Sequence, residues 1–158
     1  MEKIYIAKNE AETGEIAAKL ANITKRGDIW ALHGTLGAGK TVFSKAFVQA
    51  LTDAKEVPSP TFTLLQTYAS SDFDIYHYDL YRIENPTDIF ELDVEEAFYS
   101  GVSLVEWPEK MGAFAPRNMW NVKIEIDGDS RRITVSSEDE EKVSRLSNLK
   151  KKCQNTQH

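Results

Sequence analysis

The 158-residue chain carries 19 Lys and Arg against 25 Asp and Glu, a formal net charge of −6, with 41% hydrophobic and 28% charged residues. These numbers describe a single globular domain that folds without covalent staples, and they exclude an intrinsically disordered chain. The acidic balance argues against unaided binding to nucleic acid, and a lone cysteine, Cys153, supports neither a disulfide framework nor a cysteine metal site.

In chain order, Lys3 to Ala7 alternates as a strand does, and Asn9 with Glu12 marks a helix start ahead of Ile16, Ala17, Leu20 and Ile23, with Gly27 as the stop. Asp28 to His33 is a short apolar run that leads directly into a glycine-rich segment. Lys40 to Leu51 then has helical spacing, with Phe43, Ala46, Phe47 and Ala50 facing inward. After the proline-restrained stretch Val57-Pro-Ser-Pro60, Thr61–Tyr68 and Ile75–Tyr81 predict a hairpin turning at Ser70-Ser-Asp72. Pro86–Phe98 reads as helix, Val102–Trp107 as an apolar strand, and Trp120–Ile126 joins Arg132–Ser136 through Asp127-Gly-Asp129.

The expected architecture is α/β, one domain over residues 1–137 with a central mixed sheet of about seven strands flanked by helices. Residues 138–158 form a charged tail in which only Val143, Leu146 and Leu149 make a weak helical face, so a loosely attached helix or a disordered segment is expected there. Lys150-Lys-Lys152 reads as solvated tail. The longest apolar runs are strand-length and the N-terminus has no secretory pattern, so no membrane span and a cytoplasmic location are expected.

Gly34-Thr-Leu-Gly-Ala-Gly-Lys-Thr41 satisfies the phosphate-loop pattern G-x-x-x-x-G-K-[ST] in the strand–loop–helix setting it requires. Glycine lets backbone N–H groups turn inward around phosphate oxygens. The expected nucleotide contacts are therefore Gly34, Leu36, Gly37, Ala38, Gly39, Lys40, Thr41 and Val42. Lys40 supplies a cation to the terminal phosphates, Thr41 a hydroxyl to Mg²⁺, and the helix opening at Lys40 its positive dipole end.

Hydrolysis further requires a carboxylate for the metal and a group to orient water. Val102-Ser-Leu-Val-Glu106 and Ile75-Tyr-His-Tyr-Asp79 are apolar strands that each end in an acid. Adjacent parallel strands open their carboxyl ends onto the ligand crevice, which would put both acids near the γ-phosphate. Glu106 is assigned to Mg²⁺, directly or through water, and Asp79 to positioning or deprotonating the attacking water; the pattern also allows the reverse. The bland alternative for each is a surface acid at a strand end or a helix cap. Ser59-Pro-Thr61, its backbone restrained by Pro58 and Pro60, reads either as a switch segment whose hydroxyls close over the metal and γ-phosphate or as a rigid loop ahead of a strand. Arg82 reads as a transition-state cation or a surface salt bridge, and His33 and His77 as strand-packing residues.

The four segments Gly34–Thr41, Ser59-Pro-Thr-Phe62, Tyr76-His-Tyr-Asp-Leu-Tyr-Arg82 and Leu104-Val-Glu-Trp107, in this order, resemble the TsaE (YjeE) family of small bacterial P-loop ATPases over about residues 8–136. The resemblance implies an Mg²⁺-dependent ATPase needed for N6-threonylcarbamoyladenosine in tRNA, working with TsaB and TsaD, which stimulate it and hold the tRNA. It places metal ligands on Thr41 and Glu106 and the second acid on Asp79, and it puts Thr13 and Arg131 near the nucleotide. The tail after Ser137 matches no motif of the family.

Other functions remain open to the sequence. A small-molecule P-loop kinase would normally need an arginine-bearing lid, and no Arg-rich loop is present. A GTPase would need an Asn-Lys-x-Asp segment, also absent. An ATP-gated assembly factor with little turnover would use the same loop and switch segment.

Overall fold

The structure, a computed structural model, describes residues 2–35, 37–60 and 63–156, with residues 150–156 as helix backbone only. Leu36, Thr61 and Phe62, named above as part of the loop and switch segments, lie outside the described residues.

Seven strands form one mixed sheet: β1 (Glu2–Ala7), β2 (Ile29–His33), β3 (Leu65–Ala69), β4 (Asp74–Asp79), β5 (Val102–Glu106), β6 (Trp120–Asp127) and β7 (Ser130–Ser137). Their spatial order is β1-β7-β6-β2-β5-β4-β3. The centre is parallel, with β2 between β6 and β5 and β4 beyond β5, whereas β3–β4 and β6–β7 are antiparallel hairpins and β1 pairs antiparallel with β7. β5 is buried at every position, as a strand covered on both faces must be.

Helices α1 (Glu10–Ala21), α2 (Lys40–Leu51) and α4 (Glu140–Thr156) belong to the larger of two cores, and α3 (Val94–Ser100) to the smaller. The Trp30 and Trp120 rings, from adjacent strands, stack at 4.5 Å with planes 2° apart, and Phe47 of α2 meets Trp30 edge-on at 5.3 Å. α1 and α2 approach so closely that a β-carbon on Gly14 would lie 3.5 Å from Ala46 Cβ. Among the described residues no helix is long and apolar enough to cross a membrane.

Several sequence expectations need correction. α1 ends at Ala21 with Asn22 as its cap, so Ile23 lies outside it, and Gly27, at φ +90°, serves a later turn. Its start is as expected: the Asn9 side chain accepts from the Glu12 N–H at 2.9 Å. In α2 Ala50 is exposed, and Ser44 and Val48 complete the inward stripe with Phe43 and Phe47. Pro86–Phe98 is not one helix, because Asp93 adopts φ 57° and separates the 3₁₀ segment Pro86–Leu92 from α3.

The charged C-terminal segment is not loosely attached as expected. α4 docks through Leu146 and Leu149 and through Arg145, whose guanidinium grips the buried Asp28 carboxylate at 2.6 and 3.0 Å. Lys142 stands 3.8 Å from the same carboxylate, and the Trp120 indole N–H and the Lys25 amide also donate to it. Burial alone would raise the Asp28 pKa, but the Arg145 hydrogen bonds, the Lys25 amide and the Arg145 charge together hold it below the usual carboxylate value.

Candidate active site

The carboxyl ends of β2, β5 and β4 lie side by side on one edge of the sheet, and each delivers a different part of one cleft. β2 runs into Gly34. A β-carbon on Gly34 would come within 2.7 Å of the Ile124 carbonyl oxygen, so only glycine lets the loop leave the sheet there. At Gly37 and Gly39 the space is open and the requirement is instead conformational, φ +84° and +115°. Gly39 caps α2 without any side-chain hydrogen bond, and no acid lies in the first turn of that helix. The first N–H groups of α2 are thus left for an anion.

The cleft in front of this helix start has a volume of about 280 Å³ and is lined by Gly37, Gly39, Lys40, Thr41 and Val42 from the loop and helix, Ser59 from the proline-rich segment, and Asp79, Glu106 and Trp107 from the strand ends, with Glu10 at its rim. Asp79 and Glu106, both 5% exposed, are Cα partners at the ends of β4 and β5. Tyr81 N–H donates to Asp79 Oδ1 at 3.0 Å, which fixes the turn that follows the strand. Glu106 Oε2 lies 2.7 Å from His77 Nε2.

Lys40 is only 7% exposed, and its ammonium sits 4.2 Å above the Trp107 ring. No direct ion pair to it occurs among the described residues, although the Asp79 and Glu106 carboxylates line the same cleft. An anion fits that arrangement. Trp107 reaches this position through φ 59° and ψ 52°, a left-handed conformation uncommon for a bulky residue and strained further by the following Pro108. Among the described residues no three His, Cys, Asp or Glu side chains gather into a metal cage. The hydroxyl of Thr41 and the carboxylate of Glu106 suit Mg²⁺ nonetheless, because that ion takes few protein ligands and completes its shell with phosphate and water.

A second cleft, of about 290 Å³, opens on the other side of the loop and shares Glu10, Gly37, Gly39 and Val42 with the first. Thr13, Ala38 and Arg131 line it, and Arg131 Nε donates to the Ala38 carbonyl at 3.1 Å, tying β7 to the phosphate loop. Of the residues singled out in the sequence, Gly37, Gly39, Lys40, Thr41, Val42, Ser59, Asp79 and Glu106 line the first cleft and Thr13, Ala38 and Arg131 the second, whereas Gly34 lines neither. Arg82 is exposed and not among the cleft residues. His33 bonds to Asn121 at 3.0 Å, as a strand-packing residue would.

Glu10 and Trp107 also line the cleft, and His77, a packing residue by its strand pattern, is buried outside the lining and hydrogen-bonded to Glu106. Its spacing of two from Asp79 puts both on one strand face. Trp107 directly follows Glu106, and Glu10 follows the Asn9 cap; neither position carries a signal without the fold.

Residues 7–134 match the family model described as threonylcarbamoyl adenosine biosynthesis protein TsaE. The chain belongs to the TsaE family. Among its relatives, the tRNA threonylcarbamoyladenosine biosynthesis protein TsaE of Rickettsia felis is 42% identical over 140 residues, spanning 85% of this chain and 82% of that protein. The protein of the same name from Bacillus subtilis is 38% identical over 125 residues, 78% of each chain. The crystal structure of Bacillus subtilis YdiB superposes with a TM-score of 0.79 at 28% identity, covering 96% of this chain and 95% of that one. The TsaE match ends at Thr134, so α4, with Arg145 and Lys142 of the Asp28 clamp, lies beyond what the family model describes, whereas Asp28 itself lies within it.

Proposed function

We propose that this protein is an Mg²⁺-dependent ATPase that acts with TsaB and TsaD homologues in the threonylcarbamoyladenosine modification of tRNA. The observation that carries the chemical part of this reading is the alignment of three strand ends on one cleft: the glycine loop and Lys40 after β2, Glu106 on β5 and Asp79 on β4. The pathway part rests on family membership.

In this reading the N–H groups from Gly37 to Thr41 cradle the phosphates, and the Lys40 ammonium leaves the face of Trp107 for the terminal phosphate oxygens. Thr41 and Glu106 would hold the magnesium ion, which would supply charge neutralisation at the phosphates. Asp79 orients the attacking water and accepts its proton as the water oxygen bonds to the γ-phosphorus and the bridging oxygen departs with ADP. The nucleoside extends into the second cleft beside Thr13 and Arg131. Ser59 closes over the γ-phosphate. Adenine rather than guanine is expected, and the acidic chain leaves tRNA binding to its partners in the cytoplasm.

The test is ATP hydrolysis by the purified protein with and without Mg²⁺, alone and with TsaB and TsaD from the same organism. The expected result is a Mg²⁺-dependent rate that the partners raise and Lys40→Ala abolishes. ATP binding without hydrolysis in either condition would instead assign the site to a nucleotide-gated assembly switch, and phosphate transfer to an added acceptor would assign it to a kinase.

A further inference from the structure

His77 is 1% exposed within β4, at a position whose neighbour two residues back on the same face, Ile75, is aliphatic and fully buried. An imidazole there loses its hydration and regains a single hydrogen bond, the one from Nε2 to Glu106 Oε2 at 2.7 Å. An ionised carboxylate can only accept, so Nε2 carries the proton and donates it. The opposite nitrogen, Nδ1, is buried with no partner among the described residues. Among the described residues, Glu106 is thus the ring's one hydrogen-bonding partner. Glu106, for its part, makes no other side-chain hydrogen bond or ion pair among the described residues.

We infer that His77 is a positioning residue for magnesium binding: by holding Glu106 Oε2 through its Nε2–H, it fixes the carboxylate so that Oε1 is the oxygen offered to the metal's coordination shell. This rests on the reading of Glu106 as the magnesium carboxylate. Glutamate has three rotatable side-chain bonds, and a free one at the mouth of a cleft would have to be ordered each time metal and nucleotide arrive. The buried histidine does that ordering beforehand, and outer-shell partners of this kind typically change metal affinity by about 10- to 100-fold when removed.

The experiment compares wild type, His77→Gln, His77→Asn and His77→Leu by circular dichroism and thermal melting, then measures the Mg²⁺ concentration needed for half-maximal ATP binding and, where present, hydrolysis. ATP binding in EDTA is measured alongside. Gln carries an N–H donor at the depth of the histidine Nε2, Asn stops short of it, and Leu has none. The expected result is a Mg²⁺ half-saturation raised about 10- to 100-fold in His77→Leu and His77→Asn but within about 3-fold of wild type in His77→Gln, with metal-free ATP binding unchanged in all. Equal Mg²⁺ requirements in His77→Gln and His77→Asn overturn the proposal, and this comparison stands even where His77→Leu fails to fold. Wild-type ATP binding that depends on Mg²⁺ without any turnover defeats the hydrolase reading while leaving His77 under test. ATP binding wholly indifferent to Mg²⁺ defeats the role of Glu106 and that of His77 together.

Discussion

Asp79 and Glu106 face each other as Cα partners at the last positions of two parallel strands, and both are buried. In-register residues of neighbouring parallel strands project to the same face, so the sheet itself brings the two carboxylates into one cleft with Lys40 and Thr41. Their surroundings differ: Glu106 is hydrogen-bonded to His77, Asp79 to the Tyr81 amide.

That difference predicts separable defects. Asp79→Asn keeps the size and the Tyr81 hydrogen bond but loses the group proposed as the base, so under the proposed mechanism kcat is expected to fall about 10²- to 10⁴-fold with ATP affinity nearly unchanged. Glu106→Gln is expected to raise the Mg²⁺ requirement before it touches the saturated rate. Steady-state kinetics across a Mg²⁺ series distinguish the two, and identical behaviour of both variants would remove the assignment of separate roles.

Lys40 is a cation kept largely out of water, and among the described residues its ammonium contacts the Trp107 face without a direct ion pair. Lys40→Met preserves the stem and discards the buried charge. Without nucleotide the variant is expected to stay within about 2 kcal/mol of wild-type stability, because the desolvation it removes is opposed by the lost cation–π contact and the lost attraction to the Asp79 and Glu106 carboxylates. Its ATP binding should disappear. Urea unfolding with and without ATP measures both, and a larger loss of stability would contradict the absence of a direct partner for the lysine.

The Asp28–Arg145 clamp governs the attachment of α4. Arg145→Leu leaves a buried carboxylate without its main partner and is expected to cost about 3–5 kcal/mol of stability. The pH dependence follows from the depressed Asp28 pKa: the stabilisation is fully present above the ordinary carboxylate value of 3.8 and is lost as pH falls through the lower folded value. Acid titration should therefore weaken the wild type below about pH 4, with a smaller change in Arg145→Leu. An equal acid slope in both proteins would place the titrating group elsewhere.

Much of this was legible in the sequence, and the parts that were not have a common cause. Strand alternation, the Asn9 cap and the glycine loop are local signals, and acids at the ends of apolar strands locate a crevice through a general rule of parallel sheets. The partners that escaped are joined only in space. Arg145 meets Asp28 from 117 residues away, which made a docked helix look like a loosely attached helix or a disordered tail. His77 has the composition of a packing residue, and only the β4–β5 register reveals that it reaches Glu106. The break at Asp93 is a left-handed residue in the middle of sound helical periodicity, which periodicity alone does not expose.

Gly34 offers a steric test of the loop. Gly34→Ala drives a β-carbon to 2.7 Å from the Ile124 carbonyl oxygen, a backbone atom that has no rotamer to change. A destabilisation of about 1–3 kcal/mol is expected, together with weakened ATP binding as the loop shifts. By contrast, Gly128, at φ 61° in an open hairpin turn, should accept Asn with little change. Thermal melts of the two variants make the comparison, and a neutral Gly34→Ala would show that the loop leaves β2 by another path.

The central claim is that the segment from Gly34 to Thr41 binds a nucleoside triphosphate together with magnesium, and calorimetric titration of ATP into the protein with Mg²⁺, wild type against Lys40→Ala, tests it most directly. The account predicts a single ATP site per chain that requires Lys40 and tightens with Mg²⁺. ATP binding that survives in Lys40→Ala, or no binding to the wild type with Mg²⁺ present, would contradict it.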